Sequence, residues 1–137
     1  MRLAIAVAFV WSGMVLAISF IETPLKFRAP DVTLKIGLGI GRLVFRALNS
    51  AEVVLALVLL SALLAGKASR GVAMSGTVAM SALLVQLAVV RPRLKRRADL
   101  VLTGADALRS HAHHHYVGLE LIKLCALIAT GTLLMSQ

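Results

Sequence analysis

The chain has 137 residues, of which 59% are hydrophobic and 4% aromatic, and its mean hydropathy is +0.90. A water-soluble core of this size cannot hide so much aliphatic surface, so a soluble globular domain is excluded and lipid is the expected solvent. The formal charge of +9 would suggest nucleic acid on a soluble domain; here the basic residues flank apolar runs and mark topology, so no nucleic-acid partner is expected.

A membrane span needs roughly 20 mostly apolar residues, and four stretches qualify. The first is predicted over residues 3–22; Arg2 before it raises the alternative of a secretory signal. The run is long for such a signal, and no small-x-small cleavage site precedes Glu22, so it reads as a retained helix. Pro24 is expected to end it, since proline biases Thr23 away from the helical region. The second helix is predicted over 34–66, with Asp31 or Thr33 as its cap and Gly37, Gly39 and Gly41 loosening its first turns for close packing. A tight turn over Lys67 to Gly71 leads to a third helix, predicted over 71–91 and stopping at Arg91-Pro92. An amphipathic piece over Asp99 to Arg109 then leads into the fourth, over 109–136. In hydrocarbon every backbone group must be satisfied within the chain, which leaves helices as the reading of such runs. The fold class is therefore all-α: one domain, 1–137, forming an integral membrane four-helix bundle.

Arg91, Arg93, Lys95, Arg96, Arg97 and Arg109 lie between spans three and four, and Lys26, Arg28 and Lys35 between spans one and two. The middle connection holds only Lys67 and Arg70. The positive-inside rule puts connections one and three in the cytoplasm and both termini outside. The run RPRLKRR suits anionic lipid headgroups. Cys125 is alone and mid-span, offering neither a disulfide nor a metal-binding pair.

Ionisable groups inside a span are costly, so each is a candidate functional residue. On the fourth helix Arg109, His113, Tyr116, Glu120 and Lys123 fall within roughly 80° of arc at 100° per residue. On the second, Arg42, Arg46, Asn49 and Glu52 fall within roughly 120°. The first contributes Ser12, Ser19 and Glu22, and the third Ser75 and Gln86 beside Ala79 and Ala82. All four stripes are expected to face one another in a polar pocket opening toward the cytoplasm. A purely structural reading has Arg42 and Arg46 neutralising Glu22 and Glu52, with Glu120 paired to Lys123.

His111, His113, His114 and His115 place four imidazoles in five positions at the membrane surface. Imidazole with carboxylates suits zinc, iron or oxidised copper. His113 shares the polar face, so His113, Glu120, Glu52 and Glu22 are the candidate metal ligands. Arg42, Arg46, Asn49, Tyr116 and Lys123 are the candidate ligand-binding groups around them. Which histidine faces inward stays open. Haem is the weaker option, because all four histidines sit on one short segment.

The segments Thr23-Pro-Leu-Lys-Phe27, Gly39-x-Gly-Arg-Leu-Val-Phe45 to Glu52, Arg91-Pro-Arg93 and His113 with Glu120 seven residues on resemble uncharacterised bacterial four-helix membrane proteins of the domain-of-unknown-function type. That family is related to a eukaryotic family of transmembrane proteins. The resemblance implies four helices, a helix-four histidine at His113 and a bacterial inner-membrane location, and it implies no activity. Glu120 stands where that family commonly has an amide. A second likeness, of Arg42, Asn49 and Glu52, is to glutathione-linked four-helix membrane enzymes, which are trimers. It implies arginines holding glutathione carboxylates, although the third-helix arginine and tyrosine signature is missing around Gln86 to Arg91.

The leading expectation is a small membrane protein binding a metal ion or small polar ligand in that pocket, in metal handling or resistance. A membrane enzyme on a lipophilic substrate is the second, with Arg42 and Arg46 clamping an anion and Tyr116 or His113 as acid or base. A structural or assembly subunit of a larger membrane complex is the third. A homo-oligomer fits any of them.

Overall fold

The computed structural model describes residues 1–102 and 112–137, with side chains described except at 97, 98, 101, 102 and 112–114. Among the described residues all regular structure is helical, and four helices are long and apolar enough to cross a membrane. This is the architecture of a multi-pass membrane protein. We label them α1 (Arg2–Lys26), α2 (Leu34–Ala65), α3 (Arg70–Val85, continuing to Leu102) and α4 (Ala112–Met135).

Local chemistry sets the starts. The Thr33 side chain accepts a hydrogen bond from the Ile36 amide and caps α2, and Ser69 does the same for Val72 at the start of α3. Asp31 does not cap; it takes a left-handed conformation with φ 63° in the connecting turn, which a short polar side chain tolerates. Of the three glycines opening α2, two make close approaches. A Cβ at Gly37 would collide with the Phe27 ring, and one at Gly41 would lie 3.0 Å from Lys26 Nζ. The corresponding position at Gly39 is open.

The prolines do not end helices as their sequence predicts. Residues Leu16–Glu22 of α1 and Gln86–Val90 of α3 are π-helical, and each segment lies just upstream of a proline, Pro24 or Pro92. The Thr23 amide bonds to the Ile18 carbonyl and the Arg91 amide to the Gln86 carbonyl, five residues back in each case. In an α-helix the proline ring meets the carbonyl four residues earlier. The wider turn moves that carbonyl aside, so α1 runs on through Pro24 to Lys26 and α3 through Pro92 to Leu102. The predicted amphipathic stretch thus starts as a direct extension of α3, and its second half, with Arg109, lies outside the described residues.

Helix α4 packs against α1 and α3, and α2 packs against α1. The core is aliphatic: Ala4, Val7 and Val15 from α1, Leu59 from α2, Val72, Ala79 and Leu83 from α3, and Leu127 and Leu134 from α4, joined by Trp11. Large apolar side chains such as Leu3, Leu57, Leu64 and Met74 point outward at 60–78% exposure, as expected of lipid-facing helices.

Candidate functional site

All four helices meet in one buried polar network. Its hub is Lys123 of α4, fully buried. The ammonium pairs with Glu52 Oε1 of α2, lies 2.8 Å from Glu120 Oε1, and donates to Gln86 Oε1 of α3 at 2.7 Å. These contacts use the ammonium's three donors. Trp11 of α1 donates its indole N–H to Glu52 Oε1 at 2.9 Å. Gln86 returns its amide N–H to Glu120 Oε1 at 2.7 Å, and the Ser19 hydroxyl donates to Glu120 Oε2 at 2.9 Å. Glu52, Glu120, Gln86 and Lys123 are each no more than 1% exposed.

Convergence of the four polar stripes is therefore observed for Ser19, Glu52, Gln86, Glu120 and Lys123, but the ion pairs differ from the expected ones. Arg42 and Arg46 neutralise neither Glu22 nor Glu52. Glu22 pairs with Lys26 one turn on, at 3.4 Å. Glu52 takes Lys123, and Arg42 pairs at 2.6 Å with Asp99 on the extension of α3. The reason is depth: Glu52 lies mid-helix and is fully buried, whereas Arg42 and Arg46 lie one and a half to three turns nearer the helix start and are exposed. The expected Glu120–Lys123 pair is present.

Above the network, toward the start of α2, lies a cavity of about 1000 Å³. Its wall includes five cationic side chains, Lys26, Arg42, Arg46, Arg91 and Lys95, and one carboxylate, Glu120. Lys26 is engaged by Glu22 and Arg42 by Asp99. Among the described residues Arg46, Arg91 and Lys95 have no carboxylate partner. Lys26 Nζ stands 5.6 Å from the ring centres of both Phe27 and Phe45, and Phe45 meets Tyr116 edge-on at 5.5 Å between centroids. The buried Asn49 Oδ1 and Tyr116 hydroxyl, both on residues lining the cavity, have no hydrogen-bond partner among the described residues. No family model matches the chain, and no curated protein or solved structure matches it either.

Of the candidate metal ligands, Glu52 and Glu120 are brought together through Lys123, whereas Glu22 is engaged with Lys26. Among the described residues no three of His, Cys, Asp and Glu come close enough to hold a metal ion. His111 and the side chains of His113 and His114 lie outside the described residues; His115 is exposed. Of the candidate ligand-binding groups, Arg42, Arg46, Asn49 and Tyr116 line the cavity, and Lys123 sits in the network beneath it.

Trp11 was not singled out from the sequence, although the signal was there. At 100° per residue it lies within roughly 20° of Glu22 on the helix face, and a buried indole N–H needs an acceptor. The π-helical segments at Ser19 and Gln86 were also missed. Such turns occur disproportionately at functional sites, and both supply hydrogen bonds to Glu120.

Proposed function

We propose that this protein is a multi-pass protein of a bacterial cytoplasmic membrane that binds a small anionic ligand in the cavity between α1, α2, α3 and α4, with its mouth on the cytoplasmic side. The observation carrying this reading is charge balance. Among the described residues Arg46, Arg91 and Lys95 line the space without carboxylate partners, and Glu120, the one carboxylate they place in the wall, is already bound by Lys123. Guanidinium groups hold carboxylates and phosphates through paired charge-assisted hydrogen bonds. The cytoplasmic orientation follows from the basic connections one and three.

A metal ion is the competing reading, favoured by the proximity of Glu52 and Glu120 to one shared cation. A divalent ion there has to displace the Lys123 ammonium and forgo its bond to Gln86. The cavity cations oppose it as well, since like charges in a poorly screened site repel strongly. Anion binding needs no such rearrangement.

The test is calorimetric titration of the untagged, detergent-purified protein with inorganic phosphate, glycerol phosphate and glutathione, alongside elemental analysis. Saturable binding of one of these that is lost in Arg46→Gln supports the reading. Stoichiometric bound metal together with no anion binding overturns it in favour of metal handling. Glutathione binding coupled to conjugation of a lipophilic electrophile would instead make the cavity the active site of a transferase.

A further inference from the structure

Anion binding alone leaves two features of the cavity unexplained. The first is its outer wall. Phe27, Leu34 and Leu43 line the cavity while being 40%, 60% and 71% exposed. Leu34 and Leu43 therefore belong both to the cavity and to the outward surface of α2, while Phe27 sits in the turn that follows α1. Phe20 and Leu38 continue the apolar lining inward. A site for a freely soluble ion needs no apolar flank, whereas this one carries exposed leucines on the outward face of α2, against which an acyl chain can lie.

The second feature is the pair of unpartnered polar atoms. Asn49 is 2% exposed and Tyr116 6% exposed, and the Asn49 amide oxygen and Tyr116 hydroxyl lack partners. A buried polar atom left unbonded is costly, so both await a partner. The amide oxygen only accepts. Ionised phosphate and carboxylate oxygens also only accept, so they offer no proton to the Asn49 oxygen in its observed orientation. An O–H or N–H donor on the same ligand fits that oxygen.

Resting on the anionic reading above, we propose that the occupant is a membrane amphiphile with an acidic headgroup that also carries a hydroxyl or amine donor. The acidic group meets Arg46, Arg91 and Lys95, the donor meets Asn49 and Tyr116, and the chain lies along Phe20, Phe27, Leu34, Leu38 and Leu43. The volume of about 1000 Å³ exceeds what an inorganic anion requires and lies at the upper end of ordinary ligand cavities.

The experiment is competition for a fluorescent phosphatidylglycerol bound to the intact protein in nanodiscs. Competitors are phosphatidylglycerol (acid and hydroxyls), phosphatidylmethanol (acid without donor), phosphatidylcholine (no net charge, no donor) and glycerol phosphate (no chain). Phosphatidylglycerol is expected to compete about tenfold better than phosphatidylmethanol, the difference of roughly one charge-assisted or buried hydrogen bond. Asn49→Leu narrows that preference, and Tyr116→Phe, which keeps the ring against Phe45, narrows it independently should Asn49→Leu fail to fold. Equal competition by phosphatidylglycerol and phosphatidylmethanol would overturn the donor assignment. Glycerol phosphate competing as well as the lipids would overturn the amphiphile while leaving anion binding intact. Phosphatidylcholine competing equally would sink the anionic reading itself.

Discussion

Replacing Lys123 by methionine is the sharpest perturbation of this protein, because one ammonium serves Glu52, Glu120 and Gln86 at once. Two carboxylates and one ammonium carry a formal charge of −1; without the ammonium the same volume carries −2. Methionine fills nearly the same space, so the loss is electrostatic rather than a cavity. Removing one partner of a buried ion pair typically costs about 3–5 kcal/mol, and the full burial of Lys123 leaves no water to soften it. Equilibrium unfolding in mixed micelles should therefore show Lys123→Met destabilised by about 3 kcal/mol or more. Converting both carboxylates to glutamine in the same chain should recover most of that, to within about 2 kcal/mol of the parent, because the uncompensated charges are gone. A Lys123→Met protein within about 1 kcal/mol of the parent, or a triple variant no better than the single one, would refute the account of Lys123 as the neutralising hub.

Trp11→Phe removes the indole donor to Glu52 while keeping the ring's bulk, and should cost about 1–3 kcal/mol in the same unfolding assay. Asp99→Asn weakens the hold on Arg42 at 2.6 Å and should raise affinity for an anionic ligand up to about fivefold by titration, since half-exposed pairs contribute about 0–1 kcal/mol. Gly37→Leu should drive the Phe27 ring from its place over α2 and reduce lipid competition in nanodiscs without loss of helix content by circular dichroism. Lys67→Cys in a Cys125→Ser background should react with a membrane-impermeant maleimide in intact cells, as the positive-inside rule requires; protection there combined with labelling in inverted vesicles would reverse the orientation.

The spans were legible because hydrophobic length is a property of each segment alone: Leu34–Ala65 starts where the sequence placed it and stops within a residue, and Thr33 was named among its two possible caps. The helix-four face was legible too, since Tyr116, Glu120 and Lys123 all turn inward. What the residues did not reveal was partner choice. Arg42 and Glu52 share a stripe on one helix, yet the pairing is decided by which group of another helix lies at the same depth. Glu52 met Lys123 across the bundle and Arg42 met Asp99 on an extension thought to begin after a proline break. That extension was hidden because a fixed rotation per residue cannot anticipate a π-turn.

The paired π-turns also decouple the two ends of each span. An α-helix carries one angular phase from end to end, so a polar face chosen at its middle dictates the face presented at the membrane surface. A segment that winds less per residue resets the phase, so that in α1 Trp11 meets Glu52 in the bundle interior while Lys26, beyond the wide turn, lines the cavity. Deleting a single residue within Leu16–Glu22 would let regular winding resume with the two ends keeping nearly their present relative aim, because the wide turn absorbs about one extra residue. Spans one and three are thus two independently aimed halves in a single continuous rod.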